Sequence, residues 1–165
     1  MGANAEIKGL KKLDKAFNKF TQSFGVKATL AEEFEAYVGT NEIGYTIFCS
    51  DLCNEFFLEN AEARYPEIRA DIGLWLLMHE IGHIKTWDMW SKDEQEYFRQ
   101  YTDEEIPEIE DDATRYRTYH NAPIEYMATK WAGDTMMREP AKIAKRWRKL
   151  QKAMMEFYRV NNLIN

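Results

Sequence analysis

Residues 74–87, LWLLMHEIGHIKTW, decide how this chain is read. The stretch is nearly all apolar, yet it holds two of the three histidines and a glutamate, spaced His79-Glu80-Ile81-Gly82-His83. A polar group buried without a partner costs on the order of 2–7 kcal/mol, so something must compensate these three. In an α-helix, positions i and i+4 lie one turn apart on the same face. His79 and His83 can therefore aim two imidazoles at one ion, at the usual zinc–nitrogen distance of about 2.0–2.1 Å. Glu80 is the next position round, able to reach a water on that ion without ligating it. This is the HExxH arrangement. Two of only three histidines in register, on a helix apolar around most of its circumference, favour a metal over two rings capped by carbonyls.

Catalytic zinc takes three protein ligands and leaves a fourth position open. The metzincin pattern would put its third ligand six residues after His83 and its glycine three after, but Met89 and Thr86 stand there. Asp88 is near but offset, a residue for the surface or the surroundings of the site. The better candidate lies in NAPIEYMATKWAGDTMMREP, residues 121–140. Glu125 shares a helix face with Ala128 and Ala132, and small side chains let that helix pack closely on the first. A glutamate just after Pro123 also suits the positive end of a helix dipole; the upstream HExxH tips the balance toward ligand.

Outward from the motif, Ile7, Leu10, Leu13, Phe17, Phe20 and Phe24 recur every three or four residues, predicting a helix over 5–24 that ends near Gly25. The period then changes to alternation: Val26, Ala28, Leu30; Phe34, Ala36, Val38; Ile43, Tyr45, Ile47, Cys49. With turn chemistry at Gly39–Glu42, this predicts an antiparallel meander of about three strands within 26–49. Residues 51–64 read as helix, and Pro66 as the start of the HExxH helix, about 66–87. Ser91-Lys92-Asp93-Glu94 is a capping box. Residues 103–112 hold seven acids and no base, a solvated loop. Helices over about 123–138 and 141–160 follow, with Pro140 between them. The expected fold class is α+β, mostly helical, with the small sheet beside the HExxH helix.

At 165 residues, with no repeat, low-complexity tract or linker, the expectation is one domain over 1–165. Hydrophobic content of 45% and aromatic content of 14% suit a globular protein, and a net charge of -6 carries no nucleic-acid signature. The longest apolar run, Ile72 to Met78, is far below the roughly 18–20 residues of a membrane span, so no membrane role is expected. No secretory signal opens the sequence, and Glu6 stands where N-myristoylation wants Ser or Thr. Cys49 and Cys53 are too few for a disulfide framework and read as packing thiols. A cytoplasmic location is the default.

HEIGH at 79–83, with Glu125-Tyr-Met-Ala128-Thr-Lys-Trp131-Ala132 and then Met136 and Pro140, resembles the gluzincins. It is most similar to the ImmA/IrrE-type group of small phage- or mobile-element-encoded metallopeptidases, and motif stretches cover about a fifth of the chain. Thr129 departs from that group's Asn or Asp, ADIGLWLLMHE replaces its arginine-rich lead-in, and no helix-turn-helix module is evident. The resemblance implies a small zincin-like domain, zinc ligands His79, His83 and Glu125, and Glu80 as general base.

The expected activity is a zinc metalloendopeptidase acting on a protein or peptide. Glu80 would take a proton from the attacking water and return it to the leaving amine. His120 is the first candidate for an oxyanion donor, with Tyr119 and Tyr126 as alternates. Tyr45–Cys49 offers an edge for substrate pairing. Two other classes stand beside this: a zinc-stabilised interaction module with weak turnover, and a nucleic-acid-associated regulator using KIAKRWRKLQK, residues 142–152. Nucleic acid is the less expected partner, because that basic face can simply be solvated. Oligomeric state is not legible.

Overall fold

A computed structural model describes residues 9–28, 37–39, 42–44 and 52–160. Its centre is the helix carrying HExxH, here α3 (Ile72–Thr86), which is buried nearly all round through Leu74–His79, Ile81 and Gly82. Asp71 caps it, accepting from the Leu74 N–H at 2.9 Å. The most extensive packing is with α6 (Pro123–Arg138), which runs antiparallel to it: His83 meets Glu125, Gly82 meets Ala128, and His79 meets Thr129.

Two amphipathic helices close the core over this pair. On α1 (Leu10–Thr21), Leu13, Phe17 and Phe20 point inward. On α7 (Pro140–Val160), Ile143, Trp147, Leu150, Met154 and Phe157 form the facing stripe. The Phe20 and Trp147 rings meet edge-on, with centroids 6.1 Å apart. The Asp71 carboxylate also accepts from Trp147 Nε1 and Gln151 Nε2, both at 2.8 Å, which ties α7 to the start of α3. The remaining helices are α2 (Leu52–Arg64), α4 (Lys92–Gln100) and α5 (Asp112–Asn121).

The α+β expectation with a three-stranded antiparallel sheet is overturned: the described chain is almost entirely helical. What strand there is comes in fragments of two or three residues: β1 (Lys27–Ala28), β2 (Tyr37–Gly39) and β3 (Glu42–Gly44). β2 and β3 pair antiparallel, but β1 lies parallel to β3, so among the described residues these fragments do not make the expected antiparallel meander. The physical reason is that the apolar stripes of α1, α3, α6 and α7 satisfy one another helix on helix. The expected strand Tyr45–Cys49 lies outside the described residues, as do residues 5–8 of the first helix.

Two further expectations change, and one helix is new. Pro66 does not open α3. It sits in a turn closed by the Ile68 N–H to the Tyr65 carbonyl at 3.0 Å, where its fixed φ is well suited, and the helix waits for the Asp71 cap. Residues 103–112 are not a loop throughout. A π-helical segment (Tyr101–Glu105) and a 3-10 turn (Ile106–Glu108) extend α4, pinned by buried Ile106 while the acids stay exposed. Finally, α5 carries no apolar stripe, and periodicity gave no sign of it. Asp111 caps it, accepting from Thr114 N–H at 2.8 Å, and Tyr116 stacks on Phe56 of α2.

Candidate metal centre

Local sequence places the site. Gly82, between the two histidines, removes a side chain where the helices cross: a Cβ there would lie 2.4 Å from the Ala128 carbonyl oxygen. Opposite it, Ala128 and Ala132 are fully buried. This close approach delivers the first turn of α6 to the histidine face of α3. Glu125 Oε2 then lies 2.9 Å from His79 Nε2 and 3.3 Å from His83 Nε2.

Donor atoms of His79, His83 and Glu125 all fall within 4.8 Å of one another, a group that can hold a metal ion. A tetrahedral ion with bonds of about 2.0–2.1 Å needs its donors about 3.3–3.4 Å apart. The separations from Glu125 approach that value, and one carboxylate with two imidazoles is chemistry that suits a borderline-soft divalent ion. The residues fit the group.

Burial and charge are coupled here. Side chains of His79 and Glu125 are 5% exposed and that of His83 is 15% exposed, so the centre opens on the His83 side. Burial alone would push the His83 imidazole down. The Glu125 carboxylate, through its charge and hydrogen bond, and Glu80 more weakly, outweigh this and hold the ring up at about 9. Burial alone would raise the Glu125 carboxyl; His83, with His79, holds it far below the usual carboxylate range. Metal-free, the triad is an internal ion pair.

Thr129 is the residue that sequence reasoning undervalued. Its buried hydroxyl lies 2.9 Å from His79 Nδ1, on the ring edge opposite Glu125. A hydroxyl can donate or accept. With His79 Nε2–H donating to Glu125, Thr129 donates to Nδ1; with a cation on Nε2, the hydroxyl turns and accepts from Nδ1–H. Phe57 was also missed: its ring sits edge-on to His79 at 5.0 Å and walls the site. Position i+4 from Glu125 was the available signal for Thr129; Phe57 left none.

The other candidates fall as follows. Glu80 is half-buried, outside the convergent group, and close enough to His83 for its charge to act there. His120 is buried at the end of α5, not exposed on a loop, and the Phe57 ring touches it at 5.5 Å on the way to His79. Tyr119 neighbours His120, while Tyr126 is 40% exposed beneath the Arg64 guanidinium. Asp88 is exposed after α3, and the Thr86 hydroxyl is spent on the Gly82 carbonyl at 2.8 Å. Among the described residues no helix is long and apolar enough to cross a membrane.

Chemically, the centre can bind a divalent cation on two neutral imidazoles and a carboxylate, with a second carboxylate beside it. A scan against protein-family models and searches of curated proteins and of solved structures found no match to this chain.

Proposed function

We propose that the chain is a zinc-dependent metalloendopeptidase of gluzincin type, similar to the ImmA/IrrE-type group and acting on a protein or peptide in the cytoplasm. One observation carries the reading. The two HExxH imidazoles converge with a carboxylate from a separate helix, while Glu80 remains outside that group and next to His83. A purely structural site has no use for that extra carboxylate.

His79, His83 and Glu125 would hold the zinc ion, which when bound would supply Lewis-acid activation of water. The chain's own residues do the rest. Glu80 accepts the proton of the attacking water and passes it to the leaving amine. Thr129 holds the His79 ring in the plane that presents Nε2. His120 is the proposed donor to the developing oxyanion.

The test is a pair of variants. Glu80→Gln is expected to bind zinc as the parent does and to lose peptide hydrolysis by at least about a hundredfold, the scale of a general base. His83→Ala is expected to lose both. Cleavage by Glu80→Gln at the parent rate rejects the proposed base. The burial of His79 and Glu125 favours a second reading, a zinc-stabilised interaction module with little turnover. A peptide panel with a chelator control separates the two.

A further inference from the structure

Charge is divided between the two ends of this molecule. Between Asp88 and Asp112 the sequence has eleven acids against two bases. This segment leaves the C-terminal end of α3. From Lys142 to Lys152 it has six bases and no acid, on a helix tied to the N-terminal end of α3 through Asp71. Fifteen residues of α3 separate those ends, about 22 Å at 1.5 Å per residue.

Each region is partly paired, Lys142 with Glu139 on α7 and Glu96 with Arg99 and Asp112 with Arg115 in the acidic segment, but most of its charges are not. Lys145, Arg146, Arg148, Lys149 and Lys152 make no ion pair among the described residues, nor do Asp103, Glu104, Glu105 and Glu108. The apolar stripe of α7 is used inside the core, so its bases form the outward face.

Of six large exposed apolar side chains among the described residues, two lie in each region, and the other two, Tyr126 and Met137, lie on α6. Met89 (55% exposed) and Tyr97 (58%) lie in the acidic segment, and Met155 (55%) and Val160 (37%) lie on α7.

We propose that these regions are the two halves of a self-association surface, and that the partner is a second copy of this chain. In an antiparallel side-by-side pair, the acidic end of each copy meets the basic α7 face of the other. The contact is then made twice and the assembly closes at two. A nucleic acid would use α7 alone, leaving the acidic segment and its exposed Met89 and Tyr97 without a role. A membrane surface would need the apolar face of α7, which the core already occupies. This inference is independent of the zinc reading.

The experiment is sedimentation velocity on the full chain, in low salt and at about 0.5 M salt, where exposed charges are screened beyond a few ångströms. The parent is expected to run as a dimer in low salt, with its dissociation constant raised at least tenfold in high salt. The double variants Lys145→Glu/Lys149→Glu and Glu104→Lys/Glu108→Lys are each expected to be monomeric, with helical circular dichroism unchanged. An equimolar mixture of the two restores complementarity at both contacts and is expected to dimerise. A monomeric parent in low salt overturns the proposal, as does a mixture that stays monomeric. DNA or RNA binding lost in Lys145→Glu/Lys149→Glu, without self-association of the parent, overturns it too.

Discussion

The Thr129 hydroxyl, 2.9 Å from His79 Nδ1 and buried, can be tested without disturbing the ligands. Thr129→Val keeps the shape of the side chain and removes its only polar atom, so Nδ1–H loses its acceptor. Zinc affinity, read by competition with a chromophoric chelator, is expected to fall about 10–100-fold, the usual effect of removing such a support. Thr129→Ser is expected to restore it. Equal affinity in Val and Ser variants would make Thr129 a packing residue only. The pH dependence also belongs to this scale. His83 rises from its ordinary 6.5 to about 9 in the folded chain, so its contribution is whole below 6.5 and is lost as pH climbs through 9. Glu125 is lowered from 4.5, so its contribution is present above 4.5 and is lost as pH falls toward its folded value. Metal-free protein is therefore expected to be most stable between about pH 4.5 and 6.5 and to weaken from there to 9, as urea titrations across that range will show. Zinc must displace the proton on His83, so its apparent affinity should climb over the same interval.

At the scale of elements, the α3–α6 crossing does the assembling. Gly82→Ala puts a Cβ 2.4 Å from the Ala128 carbonyl oxygen, a backbone atom that cannot swing aside. The helices must separate, at a cost of about 1–3 kcal/mol for overpacking. Because Glu125 reaches the histidines only through that approach, zinc affinity is expected to fall together with the urea midpoint. A variant with lowered stability and unchanged affinity would show that the ligands are positioned some other way. This crossing also shows what was legible in advance. The spacing of His79 and His83, and of Glu125 with Ala128 and Ala132, is written in local periodicity, because helical faces are a property of the segment itself. The starting point of α3 was not, since Pro66 suits a turn as well as a first helical residue, and the Asp71 cap decides. Nor was α5, which is held by aromatic and cation contacts with α2 that have no local signature.

For the molecule as a whole, a metal bound at the proposed centre would make binding and folding one equilibrium. A cation that binds only the folded chain stabilises it by about 4 kcal/mol when present at a thousand times its dissociation constant. Zinc is expected to raise the melting temperature measurably, and a chelator to return it to the metal-free value. His83→Ala should abolish the zinc-dependent rise, and a rise that persists in that variant would place the ion elsewhere.

The sequence by itself determined the types of the candidate ligands His79, His83 and Glu125, their helical register and the amphipathic stripes of α1 and α7, because each depends on neighbours within one or two turns. Tertiary structure decided that the core among the described residues closes helix on helix, because the apolar stripes of α1, α3, α6 and α7 bury one another. It also decided that Thr129 and Phe57 enclose His79, since their meeting depends on how closely two distant backbones approach, and Gly82 sets that distance only when Ala128 is opposite it.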